Sequence, residues 1–336
     1  MVAHRFGESS PFSVGVEEEL FVLDAETLEP ASVPDGVLDG KRFKAELFTT
    51  MLELTTGICA GVEQAVEELA ELRLEARGRL RAHGRELAAA GTWPTAVLGE
   101  QPVTPLEPLQ RFAEYAGPSA LRQHCAGLHV HVGVASPADC MGRLEAVLPW
   151  LPFLLALSAN SPYAGGAETG LASTRAELLA LLPRAGAPPA FRDYEGFVSF
   201  AELLVELGLA DDLMRLWWDV RPHPRLGTLE IRAPDQPTRL AATAALARAC
   251  HALVAEADPG AKPADRGLYA QNRWAAARFG REAGLVHPET LRLVGPGELA
   301  RGLDGLDQAG EQVEVGRRDG LRALRERLVA LTYDGL

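Results

Sequence analysis

The amino-acid sequence predicts a single α+β domain that spans residues 1–336. Short segments of alternating polar and apolar residues, typical of β-strands, are scattered between longer segments in which apolar residues recur at helical spacing. The sequence contains no repeats and no long low-complexity linker, and 47% of its residues are hydrophobic, so the chain can bury a large core. These observations favour one mixed domain over two separate modules.

The expected elements follow from local patterns along the chain. Strands are expected at residues 12–23, 48–55, 127–133 and 228–233, because polar and apolar side chains alternate there. Residues 62–90 are expected to form one long helix, since apolar residues fall at helical spacing between many charges. Further helices are expected at residues 118–124, 138–160, 173–182, 194–207, 238–257, 268–280 and 321–331, and loops at 24–40, 101–108, 165–170 and 219–227.

The polar faces of three predicted strands carry side chains suited to chemistry. Successive side chains of a strand point to opposite faces, so residues two apart share a face. The shared faces hold two glutamates, two histidines, and a glutamate with an arginine, namely Glu17 and Glu19, His129 and His131, and Glu230 and Arg232. If the three strands lie in one sheet, this face is suited to bind divalent cations and an anionic substrate.

Each of these residues also has a less specific interpretation. Glu17 and Glu19 repel each other unless a cation binds them, but a solvated edge strand would tolerate the same pair. Glu53 lies on a predicted strand, whereas Glu46 just before that strand could be an ordinary surface acid. The two histidines could be buried residues with satisfied hydrogen bonds, or zinc ligands of a hydrolase, although no third ligand stands at a recognisable spacing. Histidine with several glutamates fits Mg²⁺ or Mn²⁺ better than structural zinc.

Phosphate binding in this chain is expected to depend on arginine. Residues 221–235 hold Arg221, Arg225 and Arg232 close to the predicted strand that carries Glu230. Arginine presents paired donors to phosphate or carboxylate oxygens, although a surface ion-pair network is the alternative. The sequence contains no GxxxxGK[ST] loop and no GxGxxG fingerprint, and its three lysines lie outside any motif. Any nucleotide would therefore be bound through metal and arginine.

Composition argues against several classes of function. The formal net charge is −13, and no basic stretch with interleaved aromatic residues occurs, so neither nucleic acid nor an anionic membrane is an expected partner. No signal peptide and no membrane-spanning segment is expected, and the spacing of the four cysteines matches neither a zinc site nor a redox pair. We therefore expect a cytoplasmic protein that acts on small molecules, with a homo-oligomer possible.

Taken together, the motifs resemble those of the glutamate–cysteine ligase type 2 family. The resemblance extends from residue 12 to about residue 279 and depends on the order and spacing of the segments 15–19, 46–53, 90–92, 125–133, 150–162, 169–175, 217–235 and 272–274. It implies an ATP-dependent carboxylate–amine ligase. It also implies an antiparallel β-sheet half-barrel with helices packed outside and the active site on the concave face, similar to the glutamine synthetase catalytic domain.

The resemblance implies a role for each candidate residue. The ligands expected for Mg²⁺ or Mn²⁺ are Glu17, Glu19, Glu46, Glu53, His129 and Glu230, with the choice between His129 and His131 left open. The residues expected to bind ATP are Arg221, Arg225, Arg232, Asn272 and Arg273, and those expected to act most directly in catalysis are Glu53, Arg225 and Arg232. In the implied reaction a substrate carboxylate attacks the γ-phosphate of ATP, and an amine then displaces phosphate from the acyl phosphate to form an amide.

The chain departs from the family pattern outside the predicted metal strands. Trp93 stands where the family has a histidine, Ala167 where it has an arginine, and Gln271 where it has a glutamate. These positions are expected to lie in loops that line the substrate pockets, so the acid and the amine need not be glutamate and cysteine. The alternatives are a specialised ligase with an unusual acid or amine, and a non-catalytic relative that binds nucleotide.

Overall fold

The computed structural model describes residues 4–210, 212, 216–299, 303 and 306–336. Its strands are β1 (Val14–Asp24), β2 (Phe43–Ala45), β3 (Met51–Thr55), β4 (Arg85–Ala88), β5 (Leu128–Gly133), β6 (Tyr163–Ala164), β7 (Ala167–Glu168), β8 (Val220–His223), β9 (Thr228–Ile231), β10 (Leu285–Val286) and β11 (Leu293–Val294). Its α-helices are α1 (Val62–Arg81), α2 (Glu107–Ala116), α3 (Pro118–Leu121), α4 (Pro137–Val147), α5 (Leu151–Ser158), α6 (Thr174–Leu179), α7 (Tyr194–Glu206), α8 (Leu240–Ala255), α9 (Arg266–Phe279) and α10 (Gln308–Thr332).

Seven strands form one antiparallel sheet that organises the molecule. The strand order is β2-β3-β1-β5-β9-β8, and β4 pairs with the last residues of β1. Each of these pairings is antiparallel. Among the described residues β2 and β8 remain at the edges, so the sheet is open and does not close into a barrel. The predicted α+β fold, an antiparallel sheet curved into a half-barrel with helices packed outside, is confirmed as a mixed fold of helices and an antiparallel sheet that does not close into a barrel.

The two faces of the sheet differ in character. On β1, Val14, Val16 and Leu20 are buried in the main hydrophobic core, which also contains apolar residues of α1, α4 and α8. Glu17 and Glu19 alternate with these residues and therefore point to the opposite face. Helices α1, α4 and α8 thus cover one face of the sheet. On the other face, α10 packs against Phe21 and Leu23, and the polar side chains occupy the remaining part.

A fully buried ion pair fastens β1 to the helical layer. Glu18 of β1 accepts hydrogen bonds from Arg73 of α1, from Nη2 at 2.6 Å and from Nε at 2.7 Å. Arg73 Nη1 also donates to the carbonyl oxygens of Thr238 and Thr332, each at 2.9 Å. One guanidinium group therefore joins β1 to α1, to the segment before α8 and to the last turn of α10.

Two predicted elements contain strands of the main sheet that were not expected. The helix predicted at residues 62–90 ends at Arg81, because Gly84 adopts a left-handed φ of +66° and residues 85–88 then pair with β1 as β4. The predicted loop at residues 219–227 contains β8, which pairs with β9. In both cases pairing with another strand decides the local structure, and such pairing is only weakly encoded in local sequence.

Within the described part of the chain, one helical stretch is long and apolar enough to cross a membrane. It runs from Pro137 to Ser158, and 72% of its most apolar part is buried inside the protein. Leu144, Leu148 and Leu151 of this stretch belong to the main hydrophobic core. The stretch therefore has the burial of a core helix.

Candidate active site

Strand pairing collects the predicted acidic and histidine side chains on the polar face of the sheet. In an antiparallel sheet, residues directly opposite each other on neighbouring strands share a face. Glu17 of β1 lies opposite His129 of β5, and Glu19 lies opposite Glu53 of β3. The side chains that alternation predicts strand by strand are therefore neighbours in the folded protein.

The same polar face extends across β9, β8 and β2. His131 of β5 lies opposite Glu230 of β9, and Glu230 lies opposite Arg221 of β8. Toward the opposite edge of the sheet, on the same face, Lys44 of β2 lies opposite Glu53. Six strands thus contribute to one site, and distant parts of the chain supply its ligands.

Glu17, His129 and Glu230 form the first candidate metal site. One possible ligand atom from each residue lies within 4.8 Å of the other two. His129 Nδ1 lies 3.4 Å from Glu17 Oε2, and among the described residues neither His129 Nε2 nor His131 Nε2, both buried, has a hydrogen-bond partner. A buried polar atom without a partner costs free energy, which a bound cation would offset. Two carboxylates and one imidazole are a suitable ligand set for a divalent cation.

Two arginines hold Glu230 in its ionised form. Arg221 Nε and Arg232 Nη1 each donate a hydrogen bond of 2.5 Å to the buried carboxylate. Burial alone would raise the pKa of Glu230, but these guanidinium groups hold that pKa well below its ordinary value. Arg232 Nη1 also lies 3.4 Å from His129 Nδ1. Glu230 is therefore ready to bind a cation, and Arg232 stands beside the same site with donors for anionic oxygens.

The surroundings of the two histidines favour different roles for them. Burial and the nearby Arg232 lower the pKa of His129, so its imidazole is neutral and able to bind a metal. Burial alone would also lower the pKa of His131, but the carboxylates of Glu230 and Glu17 raise it. His131 Nε2 lies 3.5 Å from Glu17 Oε2. These directions favour His129 as the metal ligand and His131 as a counter-cation for Glu17.

Glu19, Glu46 and Glu53 form a second acidic group on this face. Burial raises the pKa of Glu46 well above its ordinary value, and the charges of Glu19 and Glu53 raise it further. Burial and the charge of Glu17 raise the pKa of Glu53 to about 7, against the opposing effect of Lys44. Carboxylates that oppose one another's ionisation in this way are stabilised by a divalent cation.

The described residues of this face carry an excess of negative charge. Its five carboxylates are Glu17, Glu19, Glu46, Glu53 and Glu230, and its three permanent cations are Lys44, Arg221 and Arg232. The excess of two negative charges, or one when His131 is protonated, is offset by added protons on the carboxylates or by a divalent cation. Because carboxylate oxygens outnumber ring nitrogens, the residues fit Mg²⁺ or Mn²⁺ better than zinc.

Metal binding should become stronger as the pH rises from 6 to 8. Because the pKa of Glu53 is raised from 4.5 to about 7, the folded protein without metal holds a proton at pH 6 that the unfolded chain releases. The folded protein therefore loses stability as the pH rises through 7, whereas a cation binds the ionised carboxylate. We expect Mg²⁺ to raise the melting temperature more at pH 8 than at pH 6 in calorimetry. An equal rise at both pH values would contradict the raised pKa.

Two of the residues predicted to bind ATP lie away from these acidic groups. Arg225 is exposed in the turn between β8 and β9 and pairs with Asp212 at 2.5 Å. Asn272 of α9 exchanges two hydrogen bonds of 2.8 Å with the backbone of Val286. These contacts do not bring either residue to the two acidic groups. The roles of Arg225 and Asn272 in binding ATP stay predictions.

Arg273 is connected to the site indirectly, through Asp219. Its Nε donates to Asp219 Oδ2 at 2.6 Å, and the hydroxyl of Tyr269 donates to the same oxygen at 2.5 Å. The backbone carbonyl of Asp219 in turn accepts the N–H of Arg232 at 2.8 Å. Arg273 is therefore linked to Arg232 through Asp219, and its predicted contact with ATP stays a prediction.

Lys44 is a site residue that the sequence did not reveal. Its Nζ lies 2.7 Å from Glu53 Oε1 and 3.3 Å from Glu17 Oε1. No lysine was expected in a functional motif, but the structure places Lys44 beside two predicted site residues. Strand β2 has only three residues, which is too short for alternation to be recognised in the sequence.

A cavity of about 280 Å³ adjoins the acidic cluster, and Glu17 and Lys44 form part of its lining. Ile58 and Leu226 contribute exposed apolar surface to the cavity. Hydroxyl groups also line it, from Ser9, Ser13, Thr55, Thr56 and Thr228. The site therefore combines a charged region over the sheet with a less polar cavity beside it.

A known protein family matches this chain over most of its length. The family described as "Glutamate-cysteine ligase family 2(GCS2)" matches residues 13–332. The chain belongs to glutamate–cysteine ligase family 2, which makes it a carboxylate–amine ligase. The family predicted from the motifs is confirmed.

Similar proteins come from several bacteria. A protein of Rubrobacter xylanophilus named "Putative glutamate--cysteine ligase 2-3" is 39% identical over 308 residues, which is 90% of this chain and 85% of that protein. A protein of Sorangium cellulosum named "Putative glutamate--cysteine ligase 2" is 36% identical over 289 residues, which is 82% of this chain and 77% of that protein.

Solved structures support the fold. A glutamate–cysteine ligase from Francisella tularensis, crystallised in complex with AMP, aligns with a TM-score of 0.71 and 14% identity, over 97% of this chain and 90% of that one. A bifunctional glutathione synthetase from Pasteurella multocida aligns with a TM-score of 0.64 and 15% identity, over 95% of this chain and 49% of that one. At such low identity these likenesses describe the fold alone.

Proposed function

We propose that this protein is an ATP- and Mg²⁺-dependent ligase that forms an amide bond between a small carboxylate and an amine through an acyl phosphate. The observation that carries the proposal is the convergence of five carboxylates, two histidines and two arginines on one face of the sheet in a chain of this family. A non-catalytic relative would not need buried charges of this kind, which are costly to retain without a ligand.

Two groups of residues would hold the metal. Glu17, His129 and Glu230 form one group, and Glu19, Glu46 and Glu53 form the other, so these six are the residues proposed to bind Mg²⁺ or Mn²⁺. The bound cation would neutralise charge on the phosphate oxygens during phosphoryl transfer. Arg232 and Arg221 would donate hydrogen bonds to the same oxygens, since their guanidinium groups already reach Glu230 from one side of the site.

The cavity beside the cluster is proposed to hold the nucleoside of ATP. Ile58 and Leu226 offer apolar surface to a flat ring system, and the charged residues Arg5, Glu8, Glu17 and Lys44 also line the cavity. A nucleoside there would direct its phosphates past Lys44 and Glu17 toward the metal ligands. The carboxylate substrate would then approach the γ-phosphate from the other end of the cluster, near Glu19 and Glu46.

The acid is proposed to be glutamate-like and the amine cysteine or another small amine. Three positions at which the chain departs from the family pattern have different surroundings in the structure. Trp93 is fully buried beside Phe21, which follows Glu19 on the same face of β1. Ala167 lies in the β6–β7 hairpin, where a flexible loop was expected, and its side chain is exposed. Gln271 is exposed on α9 and therefore does not lie in a loop as expected.

Arg232 should contribute far more to catalysis than Arg225. Arg232 lies within hydrogen-bonding distance of Glu230, whereas the side chain of Arg225 is 65% exposed and pairs with Asp212. We expect Arg232→Ala to lower kcat by about 100- to 1,000-fold, in keeping with the loss of one preorganised donor. Arg225→Ala should lower it by less than about tenfold, because an exposed pair contributes little. Steady-state kinetics of both variants measure the ratio, and equal losses would contradict this placement of the two arginines.

Phosphate release from ATP tests the proposed function. Purified protein with Mg²⁺ would be assayed against single amino acids and other small carboxylic acids, each with and without a mixture of amines. Release that requires one acid and one amine would support the ligase and identify both substrates. Release that requires neither, or no release although ATP binds, would favour the non-catalytic alternative.

A further inference from the structure

Lys44 occupies a position between the two proposed metal-binding groups. Its ammonium lies 2.7 Å from Glu53 Oε1 and 3.3 Å from Glu17 Oε1. Glu17 belongs to the first group and Glu53 to the second. A bound metal would need the same carboxylate oxygens, so the ammonium and the metal compete for them.

The choice of a lysine at this position is informative. The chain has 33 lysine and arginine residues, of which only Lys41, Lys44 and Lys262 are lysines. An ammonium is a compact charge on a flexible stem, whereas a guanidinium is a broad, planar fork. The side chain of Lys44 is 36% exposed, so it has room to turn away from the carboxylates. A lysine can therefore leave Glu17 and Glu53 and form new contacts close by.

Lys44 also lines the cavity that is proposed to hold the nucleoside. Glu17, Thr55 and Lys44 stand together where this cavity meets the acidic cluster. A phosphate chain that runs from the cavity to the metal ligands would pass within reach of the ammonium. The displaced ammonium would then find anionic oxygens beside it.

We propose that Lys44 is a catalytic residue that bridges Glu17 and Glu53 until metal binds, and then contacts the phosphates of ATP. This inference depends on the proposed function. During transfer, a bond forms between the substrate carboxylate oxygen and the γ-phosphorus, while the bond from that phosphorus to the β–γ bridging oxygen breaks and its electron pair leaves with ADP. Lys44 remains protonated throughout and donates hydrogen bonds to the phosphate oxygens.

The test measures the affinity for Mn²⁺ and the affinity for an ATP analogue. The proposal predicts that these two affinities change in opposite directions in the Lys44→Met variant. Lys44→Met removes the ammonium and keeps an unbranched side chain, and the control Lys41→Met removes an exposed lysine three residues earlier. Affinity for Mn²⁺ alone would be measured by electron paramagnetic resonance of the free ion. Affinity for the β–γ imido analogue of ATP would be measured by calorimetry in saturating Mn²⁺. We expect Lys44→Met to bind Mn²⁺ about tenfold more tightly and the analogue about tenfold more weakly than wild type.

Opposite shifts of the two affinities support the proposal, and any other pattern overturns it. Lys44→Arg keeps the positive charge and should hold the Mn²⁺ affinity close to that of wild type, which separates an effect of charge from an effect of altered folding. Wild-type protein that binds neither Mn²⁺ nor the analogue would contradict the proposed function itself. Wild-type protein that binds both, with Lys44→Met behaving like Lys41→Met, would contradict only the role of Lys44.

Discussion

Replacement of Glu53 by glutamine should abolish turnover without weakening the fold. Glu53→Gln removes a negative charge from the second acidic group, so we expect kcat to fall by about 100- to 1,000-fold. The protein without metal should be at least as stable as wild type at pH 8. Burial and the charge of Glu17 raise the pKa of Glu53 to about 7, which means that its ionised form is unfavourable there without a cation. The amide can still accept the hydrogen bonds of Lys44 and Thr55.

Kinetics and calorimetry on one preparation would measure both effects. Glu67→Gln is a suitable control, because Glu67 is an exposed glutamate on α1 in the helical layer. It should leave kcat and the melting temperature unchanged. Turnover of Glu53→Gln within threefold of wild type would remove Glu53 from the metal site. Loss of activity together with a large loss of stability would show that its role is structural.

Replacement of the buried Arg73 should lower the free energy of unfolding far more than replacement of a surface arginine. Arg73→Leu leaves the fully buried carboxylate of Glu18 without its ionic partner, and it deprives the carbonyl oxygens of Thr238 and Thr332 of their donor. Breaking a buried ion pair from one side costs about 3–5 kcal/mol. We expect a decrease of this size in the free energy of unfolding, measured by denaturation with urea.

A surface ion pair provides the matched control. Arg248 pairs with Glu63 at 2.9 Å, and both side chains are more than half exposed. Arg248→Leu should change the free energy of unfolding by less than about 1 kcal/mol. The double variant Glu18→Leu with Arg73→Leu should recover part of the loss, because no unpaired charge then remains buried. An equal cost for Arg73→Leu and Arg248→Leu would contradict the structural importance of the buried pair.

Many residues of the polar face of the sheet could be predicted because alternation along a strand is a local property. Glu17 and Glu19 share a face for the same reason that Val14 and Val16 share the other, and no knowledge of neighbouring strands is needed. His129 follows the same rule on β5. The resemblance to a family added Glu46, whose local sequence does not distinguish it from a surface acid.

The remaining features depend on contacts between distant parts of the chain. Lys44 lies on a strand of three residues, and only pairing with β3 brings it to Glu53. Arg73 looks like one of many charges on α1, and its role appears only when Glu18 is seen to be buried on the helical side of β1. Arg225 lies close to Glu230 in sequence, yet the turn between β8 and β9 leaves it in solvent. Spacing along the chain therefore predicts which residues share a strand face, but not which strands are neighbours.

Transfer of ¹⁸O from the acid to phosphate would test the central claim most directly. The acid identified by phosphate release would be labelled with ¹⁸O in its carboxylate and turned over with ATP, Mg²⁺ and the amine. If the carboxylate attacks the γ-phosphate, each phosphate released carries one carboxylate oxygen, and mass spectrometry should detect one ¹⁸O atom per phosphate. Phosphate free of the label, with amide formed at the same rate, would contradict an acyl phosphate and the mechanism proposed for this site.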